Sequence, residues 1–183
     1  MGGLEPGGVI AVHSTVHPNT CRELAKKAGA QGVSVFDAPV SGGGVAASKR
    51  RLLVMVGGEA AVVERCRPVF ETFADPIVHL GELGSGQTAK LLNNLLFTAN
   101  LATAATALSL ANDLGVSPDR LTEVVSRSSG NSFALNAIGG TGAWTGLPGW
   151  RGHCCARTSG WSSTWPTAPR PAAARSSIPP TPR

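Results

Sequence analysis

Residues 84–94 read GSGQTAKLLNN, and the character of the chain changes across them. Upstream, short β-branched runs alternate with short helical patterns. Downstream, from Thr88 to Leu114, there is no Gly or Pro and Leu and Ala dominate. That stretch reads as one helix, roughly 40 Å long at about 1.5 Å per residue. Gly84 and Gly86 allow close backbone approach at its start. Lys90 and Asn94, four residues apart, share one face. An ammonium and an amide so placed can hold a substrate oxygen together, the first giving or taking the proton and the second fixing the geometry. The plainer reading of the same spacing is a solvated polar stripe.

Upstream, GGVIAVHST and GVSVFDAPV are strand-like runs flanking the helical NTCRELAKKAGA, a strand, helix, strand unit. RLLVMVGG gives a third strand. AAVVERCRPVFETFA gives a helix with Val62, Val63, Cys66, Val69 and Phe70 on one side, and PIVHLG closes the region. The alternation predicts a layered α/β domain over residues 1–82. An all-α region over 83–140 begins with the long helix. Gly115 stops that helix, Ser117 and Pro118 start another as N-cap and first residue, and Gly130 ends it.

DAPVSGG, residues 37–43, places a hydroxyl and backbone N–H groups at a strand end, which suits a carboxylate or phosphate; a plain Gly-rich turn is the alternative. Gly42, Gly44 and Ala47 fit a G-x-G-x-x-G/A pattern after a strand. A dinucleotide fingerprint is rejected there, because SKRRLLVMVGG leads into the next strand without a helix of useful length and no acid follows about 20 residues on. SKRR at 48–51 reads as a solvated loop. His13 and His17 straddle a strand end and a Pro, an unsuitable frame for shared metal ligation, and no metal is expected.

The formal charge of +5 and pI near 9.5 point to nucleic acid only until they are divided along the chain. Residues 1–140 hold 11 basic and 11 acidic side chains, and the surplus is five Arg beyond residue 140. The body is neutral, and nucleic acid is not expected as a partner. Cys21, Cys66, Cys154 and Cys155 have neither zinc nor disulfide spacing, so a reduced cytoplasmic protein is the default. The N-terminus lacks a basic region before its apolar run, and Asn93, Asn94 and Asn100 interrupt the long helix, so neither a signal peptide nor a membrane span is expected.

Taken in order, VIAVHSTVHP, FDAPVSGG, LLVMVGG, VHLGELGSGQTAKLLNN and ANDLGVSPDRL resemble the β-hydroxyacid dehydrogenases, the 3-hydroxyisobutyrate dehydrogenase and tartronate semialdehyde reductase group related to 6-phosphogluconate dehydrogenase. The resemblance runs from about residue 4 to about residue 138. It implies the C-terminal half of a Rossmann-type domain, an interdomain helix and part of an all-α domain. It further implies an NAD- or NADP-dependent oxidation of a 3-hydroxy acid to its semialdehyde, or the reverse, and a homo-oligomer in the intact family. By the same resemblance Lys90 is catalytic, Ser41, Gly42, Gly43 and Asn94 bind substrate, and Ser14 and Thr15 meet the cofactor. A lysine partly desolvated at a cleft would have its pKa lowered enough to act as acid and base.

Departures are as specific. No strand with G-x-G-x-x-G precedes these motifs, His13 stands where the family usually has an acid, and Thr106 stands where a Glu is common. A Lys-Asp cofactor motif expected after the second helical segment is missing. The fragment is therefore expected to be inactive. The competing reading is a non-catalytic interaction module with a basic tail, favoured if salt-dependent nucleic-acid binding disappears on deleting residues 141–183.

Residues 141–183 carry all four Trp and seven of the thirteen Pro. Any Cys or Trp codon begins TG, so reading one base earlier turns Cys154, Cys155, Trp161 and Trp165 into Leu, Met or Val. Ser159, Ser162 and Ser163, where TCN-coded, become Phe, Leu, Ile or Val. The shifted pattern fits a buried helix and accommodates the missing Lys-Asp. The tail is read as an out-of-frame translation beginning between about Asn136 and Trp150; a disordered Pro/Arg/Ser tail and a basic nucleic-acid arm are the alternatives. Sequencing the DNA across codons 136–155 checks this, with a single-base restoration of Lys-Asp expected and an unchanged frame counting against it.

Overall fold

The computed structural model describes residues 3–139. The reading of residues 141–183 lies outside them. Of the β-branched runs, Val9–Val12 forms β1 and Ser34–Asp37 forms β2, paired in parallel, with helix α1 (Pro18–Gly29) as the crossover. Beyond β2 come the two-residue strand β3 (Val40–Ser41), the short helix α2 (Gly43–Ser48), β4 (Leu52–Val56), α3 (Ala60–Phe70) and β5 (Ala74–His79). β4 pairs antiparallel with β3 and parallel with β5. Asp37 and Gly57 exchange both backbone hydrogen bonds at 2.9 Å, which joins the β1–β2 pair to the β3–β4–β5 sheet. β5 carries one extra residue between its pairings with Leu52 and Val54, at the position of Pro76, which has no N–H to give the ladder.

Phe36, Ala38, Val54, Val56, Val62, Val63, Phe70 and Ala74 make one core between the sheet and α3. Its aromatic centre is an edge-to-face pair, Phe36 on Phe70, with centroids 5.7 Å apart. Val69, expected on the inner side of α3, is 63% exposed because it lies at the margin of the apolar stripe. α1 begins at Pro18 rather than Asn19, since the His17 imidazole caps it by accepting the Asn19 N–H.

The long helix, α4, runs from Ser85 to Asp113, starting three residues before Thr88 and ending one before Leu114. Gly115 closes it in the left-handed conformation, with the Val116 N–H bonded to the Ala111 oxygen and the Gly115 N–H to the Asn112 oxygen. Ser117 is the N-cap of α5 (Pro118–Val125), as expected, but no hydrogen bond from its side chain caps the helix; α5 also ends at Val125, before Gly130. A further helix, α6 (Phe133–Gly139), was not anticipated, although the Ser132 hydroxyl accepts the Leu135 N–H as a capping residue would. Ala104 and Leu108 of α4 pack with Leu135 and Ile138 of α6 in a second core, and Leu121 and Val125 of α5 lie against it.

By length and composition α4 is long and apolar enough to cross a membrane. The three asparagines therefore do not decide against a span, because the Leu and Ala around them outweigh them. Its start is buried against the sheet at Gly86 and Gln87, and its second half is buried at Ala104, Leu108 and Ala111.

What sets α4 on the sheet is Asp37. This fully buried carboxylate accepts the Gly84 N–H at 2.5 Å and the Gln87 N–H at 2.6 Å, serving from 47 and 50 residues away the N–H groups a helix start leaves without partners. The approach requires glycine. A Cβ on Gly86 would collide with the Met55 carbonyl oxygen and lie 2.8 Å from the Asp37 carboxylate. Burial pushes the Asp37 carboxyl above its ordinary range, and the N–H groups of Gly84 and Gln87 oppose that shift without cancelling it. The folded state thus takes up this proton at a higher pH than the unfolded chain, and the group contributes less to stability as pH rises through that window.

Asp37→Asn offers one acceptor oxygen to two buried N–H groups and is expected to cost roughly 1–3 kcal/mol in urea unfolding. The wild-type advantage over this variant should shrink as pH rises through and above the ordinary carboxylate range, and a growing advantage would contradict the sign. Burial, reinforced by the nearby Asp37, raises the Cys21 thiol to about 11. At pH 8, alkylation of Cys21 in the native chain should be about 100-fold slower than in denaturant, as peptide mapping would read.

Candidate active site

A cleft of about 830 Å³ lies between the sheet edge and α4. One wall is β3 and the turn into α2, with Val40, Ser41, Gly42, Gly43 and Ala47. The other is a single face of α4, carrying Lys90, Asn93, Asn94, Phe97 and Asn100. Phe133 and Ala134 of α6 close one end, and Phe133 lies 6.1 Å from Phe97 between ring centroids.

The turn at Ser41–Gly43 exists because the chain leaves β3 with Gly42 at φ +121° and Gly43 at φ +64°. A Cβ on Gly42 would sit 2.5 Å from that of Ala46, so the Gly pair is set by conformation and by space. A six-residue helix does follow, from Gly43 to Ser48. It is one turn and a half, so the G-x-G-x-x-A spacing forms the rim of the cleft and not the start of a crossover helix.

Helical spacing brings Lys90 and Asn94 to the same wall, as expected from the four-residue interval. Both are half-buried. Asn93, Phe97 and Asn100 join them; their intervals of three, seven and ten from Lys90 would have picked them out of the sequence. Phe133 carried no such signal, since only the packing of α6 on α4 brings it in. An ammonium, three carboxamides and a hydroxyl thus face a space otherwise lined mainly by apolar side chains. Such a set can hold a carboxylate by hydrogen bonds and place a second oxygen near a proton carrier.

Ser14 and Thr15 do not line this cleft. They form the turn between β1 and α1, with Ser14 exposed and Thr15 half-buried. The turn is tied to α4 by Gln87, a fully buried side chain whose Oε1 accepts the Val16 N–H at 3.0 Å and whose Nε2 donates to the Ser14 carbonyl oxygen at 2.8 Å. Gln87 was not singled out in the sequence, because its partners lie more than 70 residues away. His13 bonds through Nδ1 to the Ala38 carbonyl oxygen at 2.7 Å and packs edge-on to Phe70, which gives it a structural place beside this turn.

Residues 1–81 match the NAD binding domain of 6-phosphogluconate dehydrogenase, and residues 84–141 match the NAD-binding domain of NADP-dependent 3-hydroxyisobutyrate dehydrogenase. The chain is 44% identical over 123 residues to a 3-hydroxyisobutyrate dehydrogenase of Pseudomonas aeruginosa, covering 67% of this chain and 41% of that protein. It is 38% identical over 137 residues to 2-(hydroxymethyl)glutarate dehydrogenase of Eubacterium barkeri, covering 75% and 46%. The structure of a Mycobacterium tuberculosis 3-hydroxyisobutyrate dehydrogenase with L-serine superposes with a TM-score of 0.66 at 37% identity, over 72% of this chain and 45% of that one. The chain spans a little under half the length of these relatives. An NAD-binding α/β region leading into a long helix and a helical segment, matched in order by both models, places this chain in the 3-hydroxyisobutyrate dehydrogenase family of β-hydroxyacid dehydrogenases, whose members depend on NAD or NADP.

Proposed function

We propose that this chain is the substrate-binding middle of an NAD(P)-dependent oxidoreductase that interconverts a 3-hydroxy acid and its semialdehyde. The observation that carries the reading is the convergence of the Ser41–Gly43 turn with Lys90 and Asn94 on two walls of one cleft. The Ser41 hydroxyl and the turn backbone would hold the substrate carboxylate. Lys90 Nζ would lie at the hydroxyl, taking its proton in oxidation and returning it in reduction, while the Asn94 amide keeps that hydroxyl in line. Thr15 and Ser14, on the turn that Gln87 ties to α4 one helical turn before Lys90, would meet a nicotinamide ring. A bound nicotinamide cofactor would accept or supply the hydride at the alcohol carbon.

The substrates named for the relatives share one skeleton. 3-Hydroxyisobutyrate, L-serine and 2-(hydroxymethyl)glutarate are each HOCH2–CH(R)–COO⁻, with R a methyl, an ammonium or a carboxylate-bearing chain. Among the described residues lining this cleft, Lys90 is the one charged group, and Leu52, Leu96, Phe97 and Phe133 make its apolar part. That lining offers neither an acid for an ammonium nor a second cation for a second carboxylate, which favours an uncharged R. Exposed Leu92, Leu95 and Leu110 along α4 support assembly with further helices as a homo-oligomer. The free Cys21 and Cys66 suit a reducing cytoplasm.

Titrating the isotopically labelled 183-residue chain with 3-hydroxyisobutyrate should shift the amides of Ser41–Gly43 and Lys90–Asn94, with L-serine and 2-(hydroxymethyl)glutarate weaker by about tenfold. Lys90→Met and Asn94→Ala should each weaken binding by about tenfold or more. With NAD or NADP added, no reduced nicotinamide should accumulate, because the chain contains no G-x-G-x-x-G phosphate cradle after a β-strand. Shifts confined to other surfaces would overturn the assignment, and measurable hydride transfer would overturn the expected inactivity.

A further inference from the structure

We infer that Gln87 is a positioning residue that sets Thr15 in register with Lys90. The inference rests on the reading of Thr15 as the cofactor contact, and it adds a residue with no part in that reading. The Ser14 carbonyl belongs to the peptide before Thr15, and the Val16 N–H belongs to the peptide after it. Gln87 bonds both, through Nε2 at 2.8 Å and Oε1 at 3.0 Å, so one side chain fixes the two peptide planes that decide where Thr15 points. A longer contact from the same Nε2 reaches the Val12 carbonyl oxygen at the end of β1, 3.5 Å away.

The other end of the latch is equally fixed. The Gln87 backbone N–H bonds Asp37 at 2.6 Å, and Lys90 follows three residues later on the same helix, the spacing of neighbours on one face. Thr15 and Lys90 thus hang from a single fully buried residue, one through its side chain and the other through its helix. Hydride and proton transfer need their two carriers held within a fraction of an ångström, and this residue ties the turn of one to the helix of the other. An amide is required. Glutamate could accept from Val16 when ionised but would face the Ser14 carbonyl with no donor, while leucine would supply neither bond.

The test uses the full 183-residue chain and reduced nicotinamide mononucleotide as probe. In the wild type the probe should shift the Thr15 and Val16 amides. Gln87→Leu should weaken that binding by about tenfold while changing hydroxy-acid binding at Lys90 and Asn94 by less than about twofold. Gln87→Glu should be as weak at about pH 8 and recover as pH falls toward about 5, where protonation restores a donor. This pH-dependent rescue is not expected from general loosening, and it serves alone if the leucine variant does not fold. Equal probe affinity in wild type and both variants overturns the inference. If the wild type shows no nicotinamide shift, the cofactor reading falls instead, and hydrogen exchange judges the latch. Slow Val16 exchange that becomes fast in the variants supports it, and loop-like exchange in the wild type overturns it.

Discussion

The buried carboxylate of Asp37 at the start of α4 is the contact on which the rest of the arrangement depends. A helix start carries N–H groups without partners and a partial positive charge, and burying it against a sheet is costly unless something accepts those bonds. Asp37 supplies the acceptors from the end of β2, and the same residue's backbone closes the sheet by pairing with Gly57. One residue therefore fixes the helix to the sheet and joins the two parts of the sheet. The close approach leaves no room for a Cβ at Gly57 or Gly86, which is why glycines flank the junction on both sides.

From that anchor the site follows by geometry. α4 leaves the sheet with a fixed rotation, so the face bearing Lys90, Asn94 and Phe97 is turned toward the edge where β3 ends. There the antiparallel β3 and the two glycines after it bring the chain back across the cleft as a rim. Gln87, in the first turn of the helix, reaches the β1–α1 turn. The two sets of candidate residues are thus both tied to the start of one helix, in a frame held by buried hydrogen bonds.

The packing divides unequally along α4. Its start belongs to the sheet core and its second half to a smaller core with α5 and α6, while the middle presents Leu92, Leu95 and Leu96 to the surface. The chain spans a little under half the length of the relatives it matches, and apolar surface on a helix of this composition is what further helices would cover.

Period and punctuation alone determined much of this protein. β-Branched runs bounded by Gly and Pro placed the main strands, the Gly-free Leu/Ala stretch placed α4 to within three residues at either end, and the four-residue interval put Lys90 and Asn94 on one face. These features are local, encoded in spacing along one element. Other features required the fold. Asp37 looks like an ordinary strand-end acid, and Gln87 like any polar residue in a helix; their partners lie 47 to 75 residues away in sequence. The place of Phe133 in the cleft, the exposure of Val69 and the presence of Ser41 and Lys90 on two walls of that cleft likewise depend on which element packs on which. Sequence periodicity specifies a face, but only tertiary contact decides what that face meets, because the hydrogen bonds and steric limits that set the meeting join residues with no fixed spacing along the chain.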